Sequence, residues 1–299
     1  MLEINTLDQE ELAQRISFLP TGFKERGMFN NGDTIIYLSI RRPDPYVGKP
    51  AEVGTDVFAM DTGNGSSSIP TFDSGFPVDF MMRKNKDSNV IFTSGTRITG
   101  LSRLSPTDNP KEVSDSTITW DSNVGWGSTS QGASLVSWMW RKTKGFDTVT
   151  YSGISGVQTI RHSLGRVPEM IWVKNRSDTT GRPWSVYHKG MNGGTDPEDY
   201  WMALNEPDGE MNNANSWNDT APTAHSFTVG NKVENNAANQ TYVGMVFASV
   251  AGISKVGSYT GSTSTVTVTC GFQPRFILIK KSSANDNWVL FDTLRGIAT

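Results

Sequence analysis

An apolar strand introduced by proline, followed by a polar loop and a second strand, occurs three times in this chain. That recurrence limits the fold more than any other feature. Residues 164–174 (Leu-Gly-Arg-Val-Pro-Glu-Met-Ile-Trp-Val-Lys) lead through a polar loop to 184–190 (Trp-Ser-Val-Tyr-His-Lys-Gly). Residues 75–84 lead in the same way to 90–92, and residues 271–280 lead to 288–292. The prolines, Pro77, Pro168 and Pro274, stand 91 and 106 residues apart, and a base follows each by six residues: Arg83, Lys174 and Lys280. Self-similarity at such intervals marks a repeat architecture, and units of this length are too long for a propeller blade or a solenoid coil. Each is long enough to form a whole β-sandwich.

Other register marks agree with this division. Ile4-Asn5, Leu104-Ser105 and Leu204-Asn205 recur every 100 residues, and Tyr151-Ser-Gly and Tyr259-Thr-Gly are 108 apart. The chain therefore reads as the back half of one repeat (1–42), a linker (43–54), two whole repeats (55–142 and 146–250) and the front half of a further repeat (256–299). The Pro-rich run 43–50 cannot pair as a central strand, which is why it reads as a linker. The two half-repeats have two explanations: the chain continues an array, or they meet and complete one sandwich. The spacing leaves both open.

Short strands between Gly, Asn and Ser turns, with almost no helical periodicity, predict an all-β chain of tandem sandwich or barrel repeats with one or a few short helices. A single helix is expected over residues 6–16, where Thr6 and Gln9 fit a capping box and Leu12 and Ile16 share a face. The runs 170–173 and 276–279 are apolar on both alternating faces, a pattern that suits strands covered on both sides. One face fills the sandwich. A helix, a loop, another repeat or another chain must cover the other.

Composition narrows the function classes. With 27 Lys and Arg against 30 Asp and Glu, the net charge is −3 and both signs are scattered, so no concentrated basic face for nucleic acid is expected. Cys270 is the only cysteine, which rules out an internal disulfide and any zinc site built on several cysteines. No apolar run is long enough to span a bilayer, and the start of the chain lacks a signal peptide's basic and apolar regions. A protein made in the cytosol, with no membrane insertion, is expected.

No catalytic motif is present. His162, His188 and His225 are far apart in sequence and fit no metal or nucleophile pattern, so they read as single polar residues on strands. Residues 125–130 hold two well-spaced glycines but lack the third and the helix of a nucleotide fingerprint. The acidic loops 195–199 and 205–210 carry oxygen donors without EF-hand spacing and read as solvated turns. Of these carboxylates, Asp196, Glu198 and Asp199 are where a glycosidase pair would be sought. Trp138, Trp140, Trp172, Trp184 and Trp288 fall on predicted strands and belong to the core. Trp126, Trp201 and Trp217 lie nearer loops and are the candidates for stacking on a sugar ring. No catalytic residue, metal or cofactor is expected.

Five motifs occur together: Phe-Pro-Val-Asp at 76–79, Ser-Trp-Met-Trp-Arg at 137–141, His-Ser-Leu-Gly at 162–165, Trp-Asn-Asp-Thr-Ala-Pro-Thr at 217–223 and Ser-Lys-Val-Gly-Ser-Tyr-Thr-Gly at 254–261. In these the chain resembles the repeat modules of large virion proteins from tailed bacteriophages, a family of domains of unknown function. The resemblance implies jelly-roll or lectin-like sandwiches in a tail-fibre, tail-tip or other structural protein. It further implies assembly in the host cytoplasm, other virion proteins as partners, a homo-oligomer with a trimer as the first expectation, and a host-surface glycan as a candidate ligand. It carries no catalytic residues. The alternatives are a capsid decoration protein and a tailspike-type depolymerase.

Overall fold

A computed structural model describes residues 2–3, 15–41, 55–66, 68–142 and 145–296. The expected helix lies outside these residues except at its end, where Ile16 opens the strand Ile16–Leu19. The linker 43–54 and the mark Ile4-Asn5 also lie outside them. The fold is all-β. Every described ladder between strands is antiparallel, and the described α-helices are two single turns, Ala214–Trp217 and Val233–Asn236.

The three Pro-led strands occupy the same place in three sheets. In the second unit the order is Phe58–Thr62, Leu135–Trp140, Phe80–Asn85, Thr93–Thr96. The third unit runs Phe146–Ser152, Thr241–Phe247, Met170–Asn175, Ser185–His188, and then adds Tyr200–Ala203 and Met211–Asn212. In the first unit the order is Ser254–Thr260, Thr34–Arg41, Pro274–Lys281, Val289–Asp292, with Leu2–Glu3 at the edge. This last sheet draws on both ends of the chain: Thr34–Arg41 pairs with Ser254–Thr260 on one side and with Pro274–Lys281 on the other.

Strand periodicity decides what each face does, because successive side chains point to opposite sides. Ile277, Ile279 and Phe291 face the layer Ile16–Leu19, Gly22–Arg26, Thr265–Thr269, and with Phe18, Phe23 and Phe272 they form the first unit's own core. Ile171, Val173 and Val246 do the same in the third unit, and Met81 and Met139 in the second. Each unit is thus sandwich-like.

The alternate residues point the other way, and their cover is another repeat. Phe80, Met82, Trp138 and Trp140, Met170, Trp172, Met245 and Phe247, and Ile36, Leu38, Ile40, Phe276 and Leu278 belong to one cluster shared by all three sheets. Aromatic contacts cross its seams: Trp140 meets Phe276 with ring centroids 5.5 Å apart, Phe80 meets Trp172 at 6.4 Å, and Phe80 meets Phe146 at 5.9 Å. Edge-to-face and offset pairs of this kind add to the stabilisation from area burial.

Polar contacts close the ring in one direction. Trp184 of the third unit donates its indole N–H to Ser105 O of the second at 2.7 Å. Trp288 of the first unit donates to Ala203 O of the third at 2.9 Å, and Trp138 of the second donates to Asp292 Oδ2 of the first at 3.0 Å. Backbone approaches are tight at the same seams. A Cβ added at Gly209 would lie 2.7 Å from Ser282 O, closer than real Cβ contacts come, so the third unit's loop needs glycine where it meets the first.

Candidate functional site

The sequence pattern places a base at the end of each Pro-led strand, and the structure buries all three of these ends. In the second unit the equivalent residue is Lys84 rather than Arg83. Phe80 follows its proline by three residues, whereas Met170 and Phe276 follow theirs by two, so the register moves along by one. Lys84, Lys174 and Lys280 stand opposite Val136, Val243 and Ile36, on the face that carries the shared core. All three are fully buried. Arg83 turns to the other face, 3.2 Å from Asp115 and over the Trp126 ring.

A buried ammonium requires partners, because an unpaired charge in a low-dielectric interior is strongly disfavoured. Lys174 Nζ donates to Arg182 O at 2.6 Å and to Asn109 O of the second unit at 2.9 Å. Lys280 Nζ donates to Lys281 O at 2.8 Å and to Pro207 O of the third unit at 3.0 Å. Lys84 Nζ donates to Val90 O and lies over the Phe92 ring. Lys174 and Lys280 act as clasps between units and Lys84 as one within its own, with no substrate-facing geometry.

Burial pushes Lys174 and Lys280 down to about 8, against the pull of Asp178 and Asp108 on the first and of Asp286 and Asp208 on the second. The unfolded chain holds these protons up to about pH 10.4, so between pH 8 and 10 it binds more protons than the fold does. Stability therefore rises with pH across that window, by on the order of 2–3 kcal/mol per lysine. Tyr242 acts in the opposite sense, because burial raises it to about 12 and the unfolded chain deprotonates first above pH 10. Denaturant titrations should show maximal stability near pH 10, and Lys174→Met with Lys280→Met should flatten the rising limb. Stability that falls steadily from pH 8 would contradict this assignment.

The tryptophans expected to stack on a ligand are all buried. Trp126 is fully enclosed, stacked on Phe72 at 4.9 Å, with its N–H on Ser137 Oγ. Trp217 caps the third unit's core between Tyr187 and Phe227. Trp201 keeps 8% of its surface exposed, and Lys232 Nζ sits 3.1 Å from its ring centroid. None offers an open face to a sugar. Trp126 lies on the short strand Gly125–Trp126, Trp201 on the strand Tyr200–Ala203, and Trp217 at the end of the helical turn Ala214–Trp217, each packed onto its unit's core. The five tryptophans assigned to the core are buried.

Folding brings two of the three histidines together: His162 N donates to His225 O at 3.0 Å. The nearby Asp147 is committed elsewhere, accepting from Ser163 and pairing with Lys142 Nζ at 2.7 Å. His188 is fully buried at the seam with the first unit, its Nδ1 accepting from Gly190 N, and burial pushes it down to about 3, so it stays neutral. In the loop after 195, Asp196, Glu198 and Asp199 are joined by Asp219. Desolvation, together with Asp219 and Asp196, raises the Asp199 carboxyl above its ordinary range. Among the described residues no group of three or more His, Cys, Asp or Glu is placed to hold a metal ion, and no helix is long and apolar enough to cross a membrane.

One surface feature escaped the sequence reading. Where the second unit meets the third, a depression of about 310 Å³ is lined by Ser102, Lys111, Val113 and Ser114 from one unit and by Arg176 and Thr241 from the other. Its floor is backbone: Glu112 N donates to Arg176 O, and Arg176 N to Thr241 O, both at 2.8 Å. Glu112 accepts from Arg176 Nη2 at 3.0 Å and from its Nε. Single serines 127 and 139 residues before Thr241 leave no local signature, so only the closure of the two units reveals them.

Residues 101–298 match the family model described as a domain of unknown function, DUF7483, and the chain belongs to that family. No curated protein and no solved structure matches the chain.

Proposed function

We propose that this DUF7483 member is a non-catalytic structural protein of a tailed-bacteriophage particle, placed in the tail fibre or tail tip and turned toward the host surface. The motif likeness at 76–79, 137–141, 162–165, 217–223 and 254–261 supports the setting. The observation that carries the mechanical part is the closed ring. Thr34–Arg41 is inserted between two strands from the other end of the chain, and indole and lysine donors of one unit reach acceptors of the next. A body locked in this way, with its lone cysteine buried and unpaired, holds a fixed shape under load without disulfides. Its partners are other particle proteins, and its role is to position and to bind.

The test is nanogold labelling of intact particles with a binder raised against residues 146–250. Label along fibres or at the tail tip is the expected result. Label spread over the head would replace the tail assignment with a decoration role, and particles without label would overturn the virion reading.

A further inference from the structure

We propose that the depression between the second and third units is a binding site for an acidic saccharide, holding one sugar ring that carries a carboxylate. This goes beyond the structural role and stands whether or not the chain sits in a virion. Binding by the isolated protein tests the site, whereas particle labelling tests the setting.

The first observation is a group of hydroxyls that are open to solvent and bonded to no other protein group. Among the described residues, the hydroxyls of Ser102, Ser114 and Thr241 make no hydrogen bond, although each lines the same concavity. Ser102 and Ser114 are cross-strand partners in the hairpin formed by Ser102–Arg103 and Val113–Ser114, so their positions are fixed relative to each other. A hydroxyl both donates and accepts, which matches the same dual capacity of a sugar hydroxyl. Most polar groups near this seam are already committed. Ser177, for instance, donates to Gln240 Oε1 at 2.7 Å and accepts from Thr241 N.

The second observation is charge. Arg176 and Glu112 neutralise each other in a two-pronged pair, whereas Lys111 is exposed and makes no ion pair among the described residues. The depression is therefore locally positive on a chain whose net charge is −3. An ammonium at the rim selects an anionic ring over a neutral one. The paired Glu112 carboxylate keeps lone pairs able to accept from sugar hydroxyls. Exposed Val113 supplies a small apolar surface for the C–H side of a ring.

The third observation is size and stiffness. A volume of about 310 Å³ lies at the small end of ligand pockets, enough for one ring with its substituents. The floor holds one backbone hydrogen bond that joins the units, Glu112 N to Arg176 O, and one within the third unit, Arg176 N to Thr241 O, so the groups are held before a ligand arrives.

The experiment uses the full chain, ¹⁵N-labelled, titrated with sodium glucuronate and, separately, with glucose. The expected result is saturable shift changes at the amides of Ser102, Ser114, Ser177 and Thr241 with glucuronate, and binding at least about tenfold weaker with glucose. Lys111→Glu should weaken glucuronate binding roughly tenfold, and Ser114→Trp, which fills the depression, should abolish it. Both positions are exposed, and unchanged spectra elsewhere would show that the fold is kept. Shift changes confined to another surface, equal binding of glucose, or full binding by Lys111→Glu would each overturn the proposal, as would the absence of any saturable change.

Discussion

Replacing Trp140 by alanine is expected to lower the stability of the whole chain by about 3–5 kcal/mol, the usual cost of emptying a large aromatic site in a packed core. The side chain is 2% exposed and packs on Phe58 and Phe80 in its own unit and on Phe146 and Phe276 in the other two. No one unit can relax to fill the cavity without moving its neighbours. Because natural proteins are stable by only about 5–15 kcal/mol, the variant should unfold at much lower denaturant. Val157→Ser, at a position 61% exposed, serves as the control and should shift stability by less than about 0.5 kcal/mol. A Trp140→Ala midpoint within error of the control would mean that the three sheets do not share this core.

Removing residues 1–42 is expected to have a larger effect. The deletion takes out Thr34–Arg41, the strand between Ser254–Thr260 and Pro274–Lys281, and with it Ile36, Leu38 and Ile40 from the shared cluster. Two strands then lose their ladders on one side, and the inner faces of the other two sheets lose their cover. An exposed apolar edge of that kind invites aggregation. The truncated chain should show no near-ultraviolet circular dichroism of packed tryptophan and should be cut rapidly by protease. A protease-resistant 43–299 fragment with native-like aromatic signals would show that the second and third units stand alone.

The parts of the fold that the sequence made legible are those governed by local rules. Period-2 apolar runs gave the strands, and the Pro-led recurrence gave equivalent positions in three sheets. The double-sided apolarity of 170–173 and 276–279 correctly required a cover on the second face, but periodicity carries no information on what supplies it. The cover is the other two units, a long-range relation. The shift from Arg83 to Lys84 arises from one extra residue after Pro77, which spacing from the proline alone conceals. Trp126, Trp201 and Trp217 show why nearness to turn residues is a weak guide to exposure, since each sits on a short strand or helical turn that packs onto its unit's core. The depression at Ser102, Ser114 and Thr241 had no sequence signal at all, because its residues become neighbours only when two units close.

Differential scanning calorimetry tests the central claim most directly, namely that three sandwich-like units share one core and behave as one body. A shared core predicts a single transition whose calorimetric enthalpy equals its van't Hoff enthalpy. At about 0.7 kcal/mol per residue, that enthalpy is on the order of 200 kcal/mol for the chain near 60 °C. Separate transitions, or a calorimetric enthalpy two to three times the van't Hoff value (roughly the number of independently melting units), would contradict it and leave a string of independent sandwiches.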